Sequence, residues 1–166
     1  MACVTYPNEF SVPENVEEPI VNFDASLDAT VIGDFDDIDA APATNVVERT
    51  DKLQVKVEWE IHGQSLWVSQ DNQFRLTLFI ESIGPGPELA FPGGIVTQLS
   101  VAAAPCGGGQ VQRVYSQLIT VPPNTLPAGV YKLVTLVQWE SKGGVKYEVA
   151  GLVEEPIVNI IETPGS

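Results

Sequence analysis

Hydrophobic and polar residues alternate with a period of two in two stretches of this chain. From Leu53 to Ile61, every second side chain is apolar and those between are polar, and the same alternation runs from Phe74 to Ile80. Successive side chains of an extended strand point to opposite faces, so a period of two indicates one buried and one solvent-exposed face. The pattern predicts two half-buried β-strands.

A longer stretch, Val130–Glu140, is apolar on both faces, which is typical of a central strand. Further strands are predicted at 95–103, 110–121 and 145–149, with loops rich in proline and glycine between them. No stretch of this region has the 3.6-residue period of a helix. The sequence therefore predicts an all-β protein, an immunoglobulin-like antiparallel β-sandwich of about seven strands with an extended N-terminal arm.

One short motif sharpens the prediction of a sandwich. Residues Leu126–Tyr131 read L-P-A-G-V-Y, which resembles the tyrosine corner of immunoglobulin-like and fibronectin-like domains. In that corner the tyrosine hydroxyl donates a hydrogen bond to a backbone carbonyl a few residues upstream. The alternative is that Tyr131 is an ordinary aromatic residue of the core.

Three segments, 81–88, 126–133 and 150–156, together resemble a set of small, acidic bacterial proteins with an immunoglobulin- or fibronectin-like sandwich. The resemblance covers about residues 46–162 and leaves the N-terminal arm outside it. It implies the fold of that set and no activity.

A seven-residue sequence, V-E-E-P-I-V-N, occurs twice, at Val16–Asn22 and at Val153–Asn159. Such a match in a chain of this length has a chance likelihood on the order of one in ten thousand or less. We therefore expect the arm, residues 1–23, to imitate the last strand of a sandwich domain at 45–166. The apolar residues that correspond are Val16, Ile20, Val21 and Phe23 in the arm and Val153, Ile157, Val158 and Ile160 in the strand.

Residues 24–44 are acidic and rich in small side chains, which favours a solvated linker between arm and domain. The cluster Asp34–Asp39 has oxygen ligands at alternating positions, as a calcium loop would. However, Asp39 stands where an EF-hand loop needs glycine, and Asn45 stands where it needs a bidentate glutamate. A linker without bound metal is the prediction.

The net charge of −14 limits the range of partners. An acidic chain without a basic stripe repels phosphate backbones and anionic lipids, so neither nucleic acid nor membrane is an expected partner. The first residues lack the basic start and apolar run of a signal peptide, which predicts a cytoplasmic protein, with export by a non-classical route as the alternative. Cys3 and Cys106 are then expected to be reduced thiols, with a disulfide between them as the alternative.

No residue pattern points to catalysis. His62 is the one histidine of the chain, and no Cys, Asp or Glu spacing around it indicates a metal site or triad. Glu58 and Glu60 share a strand face with polar neighbours, which predicts a solvated surface rather than an acid–base pair. We expect no catalytic residue, no cofactor and no bound metal, and therefore a protein that is not an enzyme.

Three hypotheses for function remain open. The arm of one subunit adds to or exchanges into the sheet of another, giving a homo-oligomer, ring or fibre. Alternatively, the arm covers an edge of its own sheet, since an open sandwich has edges to protect. In the third hypothesis, Trp67 and the glycine-rich loops bind a carbohydrate, peptide or protein, although core packing is the competing role for Trp67.

Overall fold

A computed structural model describes residues 2–11, 23–32, 45–64 and 68–162. These residues form eleven β-strands and a single 3₁₀ turn, Gln98–Ser100. The strands are β1 (Asn8–Glu9), β2 (Phe23–Ile32), β3 (Val46–Glu48), β4 (Leu53–Gly63), β5 (Gln73–Ser82), β6 (Leu89–Thr97), β7 (Ala104–Gly107), β8 (Gln110–Val121), β9 (Gly129–Glu140), β10 (Lys146–Val153) and β11 (Ile157–Ile161). No helix among the described residues is long and apolar enough to cross a lipid bilayer.

The strands make two sheets that face each other across a common core. Sheet A has the order β1-β2-β4-β8-β7, and all of its described pairings are antiparallel. Sheet B has the order β3-β11-β9-β5-β6, and β10 also pairs with β9, along the part of β9 that β11 leaves free. The all-β class is thus confirmed, while the immunoglobulin-like topology stays a prediction.

An aromatic cluster lies between the two sheets. Trp59 of β4 stacks on Tyr115 of β8 with ring centroids 5.2 Å apart, and Phe74 of β5 contacts both rings edge-on. The buried side chain of Gln98 accepts a hydrogen bond from Trp139 Nε1 at 2.8 Å, and its carbonyl accepts one from Tyr115 Oη at 2.6 Å. The 3₁₀ turn therefore supplies polar partners for aromatic residues from both sheets.

The tyrosine corner predicted from residues 126–131 is confirmed. Tyr131 is buried at the start of β9, and its hydroxyl donates a hydrogen bond to the carbonyl of Pro127 at 2.8 Å. Burial raises the pKa of this hydroxyl, because the charged phenolate is poorly solvated inside the protein. The strands predicted at 53–61, 74–80, 110–121 and 130–140 correspond to β4, β5, β8 and β9.

The prediction of a linker from residue 24 is wrong for residues 24–32. These residues form β2, which pairs with β4 from Phe23 to Ile32. Ala25, Leu27, Ala29 and Val31 are buried and alternate with Asp24, Ser26, Asp28 and Thr30. The strand was missed because two of the four inward residues are alanines and two of the outward residues are aspartates. Residues 33–44, with the candidate calcium ligands Asp34–Asp39, lie outside the described residues.

Two further predictions about strands are corrected by the structure. The strand expected at 95–103 ends at Thr97, where the 3₁₀ turn begins. The strand expected to run without a break from Val153 to Ile160 is divided between β10 and β11 by residues 154–156, which contain a cis peptide bond at Glu155–Pro156. Four further strands, β1, β2, β3 and β7, raise the strand number from about seven to eleven.

Candidate functional site

The first described residues cross the outer face of sheet A, and we call residues 2–11 the strap. The strap begins at the far edge of the sheet, where Cys3 forms a disulfide with Cys106 of β7, and the two Cα atoms are 4.5 Å apart. It next contacts β8, where Val4 N–H donates to Gln112 Oε1 at 2.9 Å and Gln112 Nε2 donates to the carbonyl of Val4 at 2.5 Å. The first part of the strap thus runs across the strands rather than along them.

The middle of the strap contacts β4 and β2. Tyr6 N–H donates to Ser26 Oγ at 2.8 Å, and Tyr6 Oη donates to Glu58 Oε2 at 3.4 Å. Burial raises the pKa of Tyr6 to about 12, and the negative charge of Glu58 and its hydrogen bond with Tyr6 contribute to the same shift. Asn8 and Glu9 then form β1, which pairs with β2 opposite Leu27 and Ser26.

The strap ends between the two sheets. Phe10 is buried, and its N–H donates to the carbonyl of Ala25 on β2 at 2.8 Å. Ser11 forms an antiparallel bridge with Ala150 of β10, in which Ser11 N–H donates to the Ala150 carbonyl at 2.8 Å. The strap therefore joins sheet A to sheet B, and Phe10 is its apolar anchor.

The side chain of Glu60 is fully buried beneath the strap. Ser26 Oγ donates to Glu60 Oε1 at 2.7 Å, Gln112 Nε2 donates to Glu60 Oε2 at 3.0 Å, and His62 Nδ1 lies 2.7 Å from the same oxygen. A buried carboxylate is stabilised only when its oxygens accept hydrogen bonds, and Glu60 has three such partners. Two of those partners, Ser26 and Gln112, are themselves held by the main chain of the strap.

The prediction of a solvated face for Glu58 and Glu60 is therefore wrong at Glu60. The alternation of residues 53–61 correctly places Glu60 on the outer face of its strand, but the strap covers that face. The prediction of reduced cysteines is also wrong in this structure, since Cys3 and Cys106 form a disulfide across 103 residues. Both errors have one cause: the contact of the strap with sheet A is long-range and leaves no local pattern.

An open cleft of about 790 Å³ lies between the strap and sheet A. Its walls include Tyr6 and Glu9 of the strap and Asp24, Ser26 and His62 of the sheet. The hydroxyl of Ser26 donates to Glu60 rather than to His62, so the described residues of the cleft lack the hydroxyl–imidazole contact that activates a nucleophile. The hydrogen bond from Tyr6 N–H to Ser26 Oγ holds the strap on the sheet at this cleft.

The residues predicted for assembly are only partly within the described structure. Val16, Ile20 and Val21 of the arm lie outside it, as does the candidate ligand platform Trp67, while the backbone of Phe23 begins β2. Of the matching residues, Val153, Val158 and Ile160 are buried, whereas Ile157 is 53% exposed. Ile157 therefore points away from the core and does not occupy a pocket there.

A second surface feature was not predicted from the sequence. The apolar side chains on the outer face of sheet B include Phe79, Val134, Leu136, Leu152 and Ile157, of which Val134 is buried. Of these, Leu152 is 48% exposed and Phe79 is 36% exposed. The signal that could have revealed this apolar face is the apolar character of both faces of β9, which predicts burial on both sides.

No known family model matches this chain, and none of the curated proteins matches it.

Proposed function

We propose that this protein is a non-enzymatic structural subunit that self-associates through its N-terminal arm. The observation that carries the proposal is the strap itself, a separate piece of chain that completes the fold by docking on the rest of the domain. Its contacts comprise main-chain hydrogen bonds to β2 and β10, the buried ring of Phe10 and a disulfide to β7. Extended segments bind sheet edges in the same way when they come from another chain.

The same contacts are available to the strap of a neighbouring copy. Exchange of an identical element between protomers conserves every contact, so its equilibrium depends mainly on concentration and on the connecting segment. Eleven residues, 12–22, connect Ser11 to β2 and can extend to at most about 40 Å. The domain has an expected radius of gyration of about 15 Å, so a docking site on an adjacent copy is within reach.

The repeated sequence adds a second element to the proposed interface. Its alignment places Val21 opposite Val158, which is buried in β11, and Ile20 opposite Ile157, which is exposed. If the arm docks beside or in place of β11, its Val21 enters the core and its Ile20 faces solvent. Val21 and Ile20 therefore provide a matched pair of positions for substitution, because the first is expected to be buried on docking and the second is expected to stay exposed.

The disulfide is also relevant to the cellular compartment in which the protein functions. Disulfides persist mainly in oxidising compartments and are rare in the cytosol. The Cys3–Cys106 bond thus favours an oxidising compartment over the cytoplasm that the sequence predicted.

Light scattering after gel filtration tests the proposal on protein that has been reduced and then reoxidised at each concentration, with non-reducing electrophoresis of the same fractions. We expect a mass above that of the monomer that rises with concentration, and disulfide-linked oligomers on the gel. Val21→Asp should return the protein to a monomer, whereas Ile20→Asp should leave the mass unchanged. A monomer at every concentration, with only intramolecular disulfides, would exclude self-association through the arm.

The second candidate function is a monomeric binding module for another protein, in which the strap covers the edge of its own sheet. The observation that favours it is the apolar face of sheet B, because exposed apolar patches commonly mark protein interaction sites. A monomer in the light-scattering experiment would favour this function. Leu152→Asp would then be the variant that tests partner binding.

A further inference from the structure

We propose that the Cys3–Cys106 disulfide is a redox latch that controls whether the strap can leave sheet A. The inference rests on the proposed function, because it describes how exchange of the arm would be regulated. Three observations support it: where the disulfide lies, what the strap covers, and how unevenly the strap is held along its length.

The disulfide lies at the outer end of the strap. It joins Cys3 to β7, the edge strand of sheet A that is farthest from the connection between the strap and β2. While the bond is intact, the strap is tethered at both of its ends, by Cys3 at one and by the chain after Ser11 at the other. When the bond is broken, the first half of the strap is held only by noncovalent contacts.

Those noncovalent contacts are few between Cys3 and Pro7. They comprise the two hydrogen bonds between Val4 and Gln112 and the hydrogen bonds of Tyr6 to Ser26 and Glu58. Val4 itself is 50% exposed and Tyr6 is only partly buried, whereas Phe10 in the second half is 6% exposed. The second half is held more firmly, by the pairing of β1 with β2, by Phe10 and by the Ser11–Ala150 bridge. We therefore expect the strap to open from its Cys3 end.

Opening of this end would expose polar groups that gain from hydration. Glu60 is fully buried under the strap, and its partners Ser26 and Gln112 each lose a hydrogen bond to the strap main chain when the strap lifts. Water that enters the cleft can then solvate the carboxylate of Glu60, which partly offsets the lost contacts. The buried carboxylate thus makes opening less costly than it would be over an apolar surface.

The chemistry of the latch is thiol–disulfide exchange. A thiolate of a dithiol reductant attacks the sulfur of Cys3, which is partly exposed, and the thiolate of Cys106 leaves. The second thiol of the reductant resolves the mixed disulfide, so that two electrons and two protons reduce the protein while the reductant becomes a disulfide. Reoxidation by a low-molecular-weight disulfide reverses both steps and closes the latch on whichever strap then occupies the sheet, its own or a neighbour's.

Hydrogen exchange read by mass spectrometry tests the latch directly. The full-length protein is compared with and without dithiothreitol, at a concentration at which light scattering gives a monomer. We expect the amides of Val4 and Tyr6 to exchange at least tenfold faster after reduction, while the amides of β4, β8 and β9 keep their protection. The double variant Cys3→Ser, Cys106→Ser should match the reduced protein and should not respond to dithiothreitol.

Two results would overturn the latch. Unchanged protection of Val4 and Tyr6 after reduction would mean that the noncovalent contacts alone hold the strap. Loss of protection throughout β4, β8 and β9 would mean that the disulfide stabilises the whole domain rather than the strap. Because the measurement is made on monomers, either result leaves self-association to be judged separately, and a strap that opens without forming oligomers overturns the proposed function alone.

Discussion

The ring of Phe10 lies against the backbone of Gly151, so closely that no side chain fits between them. A Cβ atom placed on Gly151 would be 2.5 Å from Cε1 of Phe10 and 2.7 Å from Cδ2 of Leu27. Gly151 belongs to β10 of sheet B, and Phe10 is the anchor of the strap. Because Gly151 has no side chain, the ring of Phe10 fits between the two sheets.

Gly151→Ala is therefore expected to displace Phe10 and loosen the second half of the strap. Overpacking of this kind costs about 1–3 kcal/mol of unfolding free energy, which denaturant unfolding would measure. Gly143→Ala provides the control, because its added Cβ would meet no atom closer than 3.7 Å. Equal stability of the two variants would show that Phe10 does not need the space over Gly151.

Removal of the tyrosine hydroxyl in Tyr131→Phe should destabilise the domain by about 0.5–1.5 kcal/mol, the usual net contribution of one hydrogen bond. The carbonyl of Pro127 loses the hydrogen bond that the buried hydroxyl donates at 2.8 Å, and because Pro127 is exposed, water can replace part of it. Tyr147→Phe loses only a 3.2 Å hydrogen bond to Asn72 from a partly exposed ring, so its effect should be smaller. Thermal unfolding of the two variants compares them, and a neutral Tyr131→Phe would contradict a stabilising role for the corner.

The two neighbouring residues Ile157 and Val158 should respond very differently to aspartate. Val158 is fully buried, so Val158→Asp places an unpaired charge in the core and should cost more than about 3 kcal/mol or prevent folding. Ile157 is exposed on the outer face of sheet B, and Ile157→Asp should change stability by no more than about 0.5 kcal/mol. Circular dichroism and denaturant unfolding measure both, and a severe loss at Ile157 would contradict the register of β11.

A fall in pH should lower the stability of the fold through protonation of the Glu140 carboxyl. Burial alone would raise the pKa of this carboxyl, but the hydrogen bonds from Arg75 and Gln73 outweigh burial and lower its pKa below the ordinary value of 4.5. A carboxyl with a lowered pKa in the folded state stabilises the protein above its unfolded-state pKa, and the stabilisation is lost as the pH falls through the folded-state pKa.

The matching variant is Glu140→Gln, which removes the charge and keeps the shape. We expect it to be less stable than the wild type at pH 7, and the difference to shrink as the pH falls below about 4.5. Unfolding free energies measured at several pH values test this. A difference that stays constant between pH 7 and pH 3 would contradict the role of the ionised carboxylate.

The sequence predicts the parts of this fold that rest on local patterns. The strands β4 and β5 follow from their alternation, β9 follows from a stretch that is apolar on both faces, and the corner at Tyr131 follows from six consecutive residues. By contrast, the hydrophobic alternation of β2 is weak, because Ala25 and Ala29 have small side chains and two of the residues between the inward positions are aspartates. Its period of two is nevertheless visible once the alanines are counted as inward-facing residues.

The contacts of the strap could not be predicted from local sequence patterns, for a different reason. The burial of Glu60 depends on contacts of Val4 with Gln112, 108 positions away, and of Tyr6 with Ser26, 20 positions away, and Cys3 pairs with Cys106 across 103 positions. Nothing near Glu60 distinguishes it from a solvated residue on an outer face. The repeat predicts that Val16–Asn22 imitates the last strand, and these residues lie outside the described structure, so this stays a prediction.

Transfer of the strap between subunits can be detected when the two cysteines are placed on different chains. The variants Cys3→Ser and Cys106→Ser are mixed and oxidised with a low-molecular-weight disulfide, and the products are separated by non-reducing electrophoresis. Neither variant can form the bond within one chain, and each variant alone provides the control for random pairing. Self-association through the arm predicts a disulfide-linked heterodimer that joins Cys3 of one chain to Cys106 of the other, well above the controls. No heterodimer beyond the controls would contradict it.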